Sequence, residues 1–375
     1  MAGIYIHIPF CKRRCIYCDF FSSVSMEIKS QYIDALCKEM ALRKDYLNSE
    51  TVETVYFGGG TPSQLDASDF EKLFSSLHQS GFNLKTTEVT LEANPDDISK
   101  TYLESIRKAP FNRISLGVQS FDDSELRFLN RRHDAQTAIN AVKLCQEAGF
   151  DNISIDLIYG IRYPSVRDVW QDSLKQALDL NVQHISAYSL TYEEGTELFR
   201  MVEDGKISPV DDDLSISMYE LLVDRLVQNG FEQYEISNFA KPGCRSRHNS
   251  SYWNGTHYLG LGASAHSYNG QSRQWNVSSL KGYIDSIQGG EIPAEMEVIT
   301  PPIAHNDYII TRLRTKEGIN PDELAKLFGE KAKERCLKLG DSYIKEGMLV
   351  LEDNILKITY KGISISDSIM RDLLL

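Results

Sequence analysis

The sequence predicts an α/β fold: a partial (β/α)6 barrel extended by a few antiparallel strands and followed by a helical, winged-helix-like C-terminal domain. Three observations carry this. Short apolar runs alternate with stretches of helical period over the first half of the chain. After Phe231 the pattern changes to short runs broken by turn signals such as Asn254-Gly255. From about Pro301, helical patterns give way to two short runs on either side of Asp353-Asn354.

Taken in order, the strand-like runs are Ile4–Ile8, Val52–Phe57, Glu88–Glu92, Arg113–Val118, Asn152–Ile158 and Val182–Ser189. Helix-period stretches such as Tyr32–Tyr46, Ala67–His78 and Ala135–Ala148 separate them. Such alternation implies a parallel sheet with right-handed crossovers, and six units suit a barrel left open rather than a complete eight-unit one. Periodicity alone does not separate this from an open doubly wound sheet. In either architecture ligands bind at the C-terminal ends of the strands. Residues 1–230 are expected to form the partial barrel, and 231–300 a sheet extension that includes antiparallel strands around Asn254-Gly255. Residues 301–375 are expected to form the last domain, with helices at Ala304–Thr315, Pro321–Phe328 and Lys331–Glu346, strands at Met348–Leu351 and Ile355–Ile358, and a final helix from about Tyr360.

At 42% hydrophobic and 25% charged over 375 residues, the composition is that of a soluble protein with a large core. No apolar run approaches the roughly 20 residues that cross a bilayer. Met1-Ala-Gly-Ile leads straight into a strand, so a cytoplasmic location is expected. Seven cysteines, with Cys37, Cys145 and Cys336 lying singly in helical patterns, do not form a disulfide framework. A net charge of −13 argues against an electrostatic grip on nucleic acid, and the winged-helix-like segment carries twelve Lys/Arg against twelve Asp/Glu.

The densest chemistry is Cys11-Lys-Arg-Arg-Cys15-Ile-Tyr-Cys18. Three thiols in this spacing can hold an iron–sulfur cluster, yet they leave one iron of a four-iron cluster unligated, open to a chelating molecule. A structural zinc site is the alternative, but such sites are closed by four ligands. His7 lies near enough to be a fourth, although its place in Ile4-Tyr-Ile-His-Ile8 fits a strand residue. Lys12, Arg13 and Arg14 read as partners of an anionic cluster or substrate, or as a solvated loop.

The other strands end in polar chemistry too. The second runs into Gly58-Gly-Gly-Thr-Pro62, the third into Glu92-Ala-Asn-Pro95 and the fourth into Gln119, while the fifth contains Asp156. Glycines there let a ligand approach the backbone. Glu92 has the chemistry to accept from ribose hydroxyls or an amine, and Gln119 and Arg131 to bind a carboxylate or ribose. Asp156 is costly in a buried strand without a partner, for which a hydroxyl or Arg131 is suited.

The CxxxCxxC spacing resembles the radical S-adenosylmethionine (SAM) superfamily, whose open iron is chelated by SAM and whose cluster cleaves it to a 5′-deoxyadenosyl radical. Tyr5-Ile-His-Ile-Pro-Phe-Cys11, Phe57-Gly-Gly-Gly-Thr-Pro62, Leu91-Glu-Ala-Asn-Pro95, Ser115-Leu-Gly-Val-Gln-Ser-Phe121, Leu129-Asn-Arg131 and Ile155-Asp-Leu-Ile-Tyr-Gly160 sharpen this. Together they resemble the oxygen-independent coproporphyrinogen III oxidase family, from residue 5 to at least 268. The resemblance implies a radical-SAM partial barrel and a 4Fe–4S cluster on Cys11, Cys15 and Cys18. It further implies SAM among Tyr5, Tyr17, Gly59, Gly60, Thr61, Glu92, Gln119, Arg131, Asp156 and Ala187.

That family has two branches. One decarboxylates two propionates of coproporphyrinogen III; it commonly reads CxxxCxxCxC and begins with a substantial N-terminal extension. Here Phe20 stands two residues after Cys18 and the motif starts within a dozen residues of Met1. The other branch consists of heme chaperones, whose cluster motif is followed by Asp-Phe, as in Cys18-Asp19-Phe20, and which carry an HNxxYW signature. This chain reads His248-Asn249-Ser-Ser-Tyr252-Trp253. The resemblance to that branch implies heme binding at His248, Tyr252 and Trp253 and delivery to respiratory hemoproteins, with an electron donor and contact with the membrane only through a partner. Coproporphyrinogen III dehydrogenase is the alternative activity. Imidazole is a common axial ligand of heme iron, and Tyr and Trp offer flat apolar faces to a porphyrin; the bland alternative is that these residues fill a hairpin. Relatives often have Cys two residues before the His, where this chain has Ser246, its thiol being Cys244. His133 and His266 compete as ligands.

Overall fold

The computed structural model describes residues 1–161 and 166–375. Six strands run parallel in sequential order: β1 (Ala2–Ile8), β2 (Thr51–Gly59), β3 (Asn83–Ala93), β4 (Arg113–Gln119), β5 (Ile153–Tyr159) and β6 (His184–Ser189). The crossovers are made by α1 (Lys29–Leu42), α2 (Ala67–Gln79), α3 (Lys100–Ile106), α4 (Asp123–Phe128), α5 (Ala135–Glu147) and α6 (Val166–Asp179). Sequential order leaves no switch point of the kind a doubly wound sheet has, and this resolves the ambiguity of the periodicity. The barrel is open: β1 pairs on its far side with β9 (His257–Leu261), and β6 pairs with β8 (Asn238–Ala240).

Between β6 and β9 lie α7 (Glu197–Glu203), α8 (Asp212–Gln228), β7 (Glu232–Gln233) and α9 (Arg247–Asn254). The sheet continues beyond β9 through β10 (His266–Tyr268), β11 (Ser272–Asn276) and, after α10 (Leu280–Gly289), β12 (Ala294–Val298), all antiparallel. The expected extension is therefore present, but its local reading needs correction. Residues 247–254 form a helix, not a hairpin. Ser246 caps it by accepting from the Asn249 amide, and Gly255 at φ 76° ends it in the left-handed conformation. Asn254-Gly255 is thus a helix stop, and the strand that follows runs parallel to β1.

The outward faces of the strands and the crossover helices enclose the main core, with Ile4, Ile6 and Ile8 of β1 and Leu116 and Val118 of β4 fully buried within it. The inward faces are polar, carrying Tyr5, Tyr56, Glu92, Ser115 and Asp156. A second core lies between α11 (Pro301–Leu313), α12 (Pro321–Phe328), α13 (Glu330–Lys345), the hairpin of β13 (Leu349–Glu352) and β14 (Ile355–Ile358), and α14 (Ser366–Leu373). Its two-residue turn, Asp353 and Asn354 at φ 51° and 59°, has the left-handed pair that Asp and Asn tolerate. Among the described residues no helix is long and apolar enough to cross a membrane.

Candidate functional site

The thiols lie on the loop leaving β1. Paired backbone bonds, Cys11 N to Ser23 O at 2.9 Å and Ser23 N to Pro9 O at 2.7 Å, fold the loop back on itself. Ile16 anchors its middle in a small apolar cluster with Leu129, Ile158 and Leu198, its carbonyl accepting from Leu198 N at 2.9 Å. All three thiols are free; Cys11 is buried, while Cys15 and Cys18 are partly open. Thr61 Oγ1 reaches Cys11 Sγ and Arg131 Nη1 reaches Cys15 Sγ, both at 3.4 Å. Burial pushes the Cys11 thiol up and the Cys18 thiol up to about 11, so binding of a cationic metal would displace protons from both.

A closed zinc site does not fit. Both ring nitrogens of His7 are engaged, Nδ1 with the Tyr5 hydroxyl at 3.1 Å and Nε2 with the Phe21 carbonyl at 3.0 Å. Among the described residues no three His, Cys, Asp or Glu side chains converge as ligands of a single ion. An iron–sulfur cluster with one open iron does fit the donor set. The backbone beside it is bare for a reason: a Cβ on Gly60 would sit 3.0 Å from Cys11 Sγ and 2.8 Å from the Pro9 carbonyl carbon. Gly59, at φ +111°, brings the chain against the His7 ring, where a Cβ would come within 2.5 Å. Of the cations on the loop, Lys12 pairs with Asp97 at 2.8 Å and Arg14 donates to the Cys18 carbonyl at 3.2 Å. The cation at the thiols is Arg131, from a distant loop.

Arg131 links three strand ends. Its Nη2 donates to Asn94 Oδ1 at 2.7 Å and to the Gly117 carbonyl, and its Nε is buried without a partner. An orphaned guanidinium N–H beside a cluster site is what a carboxylate-bearing ligand would satisfy. Gln119 stands close by in a left-handed conformation at φ 70°, its Nε2 within 3.0 Å of where a Gly117 Cβ would be. Glu92 accepts from the Tyr56 hydroxyl at 2.6 Å and the Gly59 amide at 3.1 Å. Burial raises its carboxyl to about 7, and the charge of Asp156 adds to the rise. Burial also raises Asp156, against hydrogen bonds from Ser186 and Ser115 and the nearby Arg113 charge. A cationic amine would relieve this pair of carboxyls.

Tyr5, Tyr17, Gly59, Gly60, Thr61, Glu92, Gln119, Arg131 and Asp156 thus lie around the C-terminal rim or just inside it. Ala187 differs: it pairs with Leu157, and its side chain joins the outer core, on the opposite face from Asp156 and Ser186. Tyr56 and Asn94 were missed, although strand alternation puts Tyr56 on the same face as Gly58.

The HNxxYW residues sit at the opposite end of the barrel. Glu88 accepts from the Arg247 and His248 amides, both at 2.9 Å, and fixes the start of α9 beneath the sheet. His248 is 1% exposed, and Nδ1 meets Thr54 Oγ1 at 2.9 Å while Nε2 meets the Tyr252 hydroxyl at 3.0 Å. Its ring stacks on Tyr56 at 5.0 Å, and Trp253 lies under the Arg314 guanidinium of the C-terminal domain. At His248, where heme contact is expected, both ring nitrogens are engaged by neighbouring hydroxyls in this arrangement. His133 is also buried, with Nε2 on the Val118 carbonyl at 3.0 Å.

Residues 5–172 match the model of the radical SAM superfamily, and residues 301–365 that of the HemN C-terminal domain. The chain is 34% identical to the heme chaperone HemW of Mycobacterium tuberculosis over 99% of its own length and 94% of that protein. It is 32% identical to the Bacillus subtilis heme chaperone HemW, covering 96% of each. A mitochondrial radical S-adenosyl methionine domain-containing protein 1 of Danio rerio is 32% identical over all of this chain and 87% of its own. The coproporphyrinogen III oxidase HemN of Escherichia coli has the same fold, with a TM-score of 0.85 over 99% of this chain and 89% of that one at 23% identity.

Proposed function

We propose, from the premise that this chain belongs to the HemW family of the radical SAM superfamily, that it is a heme chaperone: it binds heme and passes it to acceptor hemoproteins. The observation that carries this is the end-to-end similarity to heme chaperones. Phe20, 65% exposed where the decarboxylating branch commonly has a further cysteine, supports it.

In this reading Cys11, Cys15 and Cys18 hold a 4Fe–4S cluster, with Arg131 and Thr61 donating to two of the three sulfurs. When bound, the cluster supplies an electron to the sulfonium of SAM. Glu92 and Asp156 would receive the amine and hydroxyls of SAM and the Arg131 Nε–H its carboxylate, and the Gly59–Gly60 backbone would leave room for close approach. Tyr5 and Tyr17 wall the site, and Gln119 closes it beside Arg131. Tyr252 and Trp253 brace the lower end of the barrel against the C-terminal domain.

The division at residues 1–230, 231–300 and 301–375 belongs to the same proposal, supported by the separate core built from Ile309 to Leu373. A cytoplasmic location is supported by seven free thiols. Respiratory hemoproteins are the proposed acceptors, an electron donor is required for SAM cleavage, and membrane contact would come through a partner. The test is transfer: heme-loaded protein is mixed with an apo-hemoprotein of the respiratory chain. Appearance of the acceptor's heme spectrum, faster than from free hemin and albumin, is expected; no acceleration would refute a chaperone role.

A further inference from the structure

Imidazole is a common axial ligand of heme iron, and the fold leaves few that iron can reach. Of the eight histidines, His7, His184 and His248 have both ring nitrogens hydrogen-bonded inside the barrel. His133 and His305 are buried, 5% and 2% exposed. His257 is held by Glu50 through Nδ1 at 2.5 Å, which leaves Nε2 unbonded among the described residues, but it pairs with Ala2 and by alternation lies on the face of β9 opposite Tyr258. Only His78 and His266 are exposed. His78 lies in the last turn of α2, a crossover helix outside the barrel.

His266 is placed differently. Register aligns Gly3 of β1 with Tyr258 of β9, and Tyr258 with Tyr268 of β10. Paired residues share a face, and alternation brings His266 to the face of Tyr268. That face is the one on which Tyr5 stacks against Tyr56, whose hydroxyl holds Glu92. The inner surface of the barrel therefore continues past its open edge onto β9–β12, and His266 stands exposed on it. Its cross-strand partner is Trp275, with the two rings stacked 6.0 Å apart at 27°. The indole is itself pinned by Nε1 donating to Glu295 Oε2 at 3.2 Å. Among the described residues neither ring nitrogen of His266 has a hydrogen-bond partner.

Resting on the heme-chaperone reading, we infer that His266 is the protein ligand of heme iron, with Trp275 orienting its imidazole on the inner face of the sheet extension. Iron binds an imidazole in the plane of that ring, so the macrocycle stands across it. Trp275, stacked at 27° on the imidazole, supports the ligand and not the porphyrin face. Tyr268 and Tyr258, along the same face, offer the macrocycle aromatic contact. Heme held there lies on the surface that leads to the SAM rim, and it remains open on its other side to an acceptor.

The experiment is hemin titration of the full chain, followed in the Soret band and by electron paramagnetic resonance, for wild type, His266→Ala, Trp275→Leu and the control His78→Ala. Circular dichroism checks folding, which the exposed position of His266 should leave intact. Wild type and His78→Ala are expected to give the same imidazole-ligated spectrum. His266→Ala should lose that spectrum and bind hemin about tenfold more weakly or worse, and added imidazole should restore the signal. Trp275→Leu should keep the ligation type with reduced affinity. If wild type binds and His266→Ala matches it in spectrum and affinity, the ligand assignment is overturned while the chaperone reading stands. If wild type binds no hemin, both fall.

Discussion

Glu92→Gln isolates the electrostatic tension at the rim. Burial lifts the Glu92 carboxyl from its ordinary 4.5 to about 7, opposed by the Tyr56 hydroxyl and reinforced by Asp156. A carboxyl raised in this way contributes stability that is complete below 4.5 and is lost as pH rises through about 7, because the unfolded chain ionises first. Linkage over that shift removes roughly 2 kcal/mol of apoprotein stability between about pH 5.5 and 8. Glutamine does not titrate, so the stability of Glu92→Gln relative to wild type should rise by that amount across the same window. The side-chain amide keeps an oxygen for the Gly59 amide and turns its N–H toward the Tyr56 hydroxyl, which can accept it, so both contacts are preserved. SAM reverses the sign. A cationic amine pairs with the ionised carboxylate, so wild-type affinity for SAM should improve as pH rises through about 7, and that of the variant should be weak and flat. Urea denaturation of apoprotein under argon measures the first effect and equilibrium dialysis of SAM the second. Parallel stability profiles for the two proteins would refute the burial argument.

Cys15→Ala removes a thiol that Arg131 contacts at 3.4 Å, and it should abolish the visible absorption of the 4Fe–4S cluster after anaerobic reconstitution while leaving hemin binding in place. Gly59→Ala combines φ +111° with a 2.5 Å approach to the His7 ring; thermal unfolding should show a loss of about 2 kcal/mol or more, with reduced cluster occupancy. His248→Ala strands Thr54 Oγ1 and the Tyr252 hydroxyl and should lower apoprotein stability by about 3 kcal/mol, yet leave the ferric heme spectrum unchanged once folded. A changed ligation spectrum in that variant would return His248 to the iron.

Much of the barrel was legible because parallel strands buried on both faces read as apolar runs, and the polar residues interrupting them, such as Asp156, had to face the interior. The turn at Asp353-Asn354 could be read from local chemistry alone. Asn254-Gly255 could not: the same dipeptide suits a hairpin turn and a helix stop, and Ser251–Gly255 is too short for periodicity to choose. Glu88, far away in sequence, adds to the local Ser246 cap by accepting from the first two amides of α9. The same limit hid the partner of Lys12, since Asp97 lies 85 residues away. Histidine accessibility was equally out of reach. His248 and His266 look alike as letters; the packing of α9 encloses one ring against Thr54 and Tyr252, while the register of β9 and β10 places the other on an exposed face.

The central claim, heme handling without porphyrin decarboxylation, is tested most directly on one anaerobically reconstituted preparation divided in two. One portion is titrated with hemin, and the other is incubated with coproporphyrinogen III, SAM and a reductant. Saturable hemin binding at one site with no protoporphyrinogen IX formed is the predicted result. Turnover of coproporphyrinogen III to protoporphyrinogen IX would contradict it.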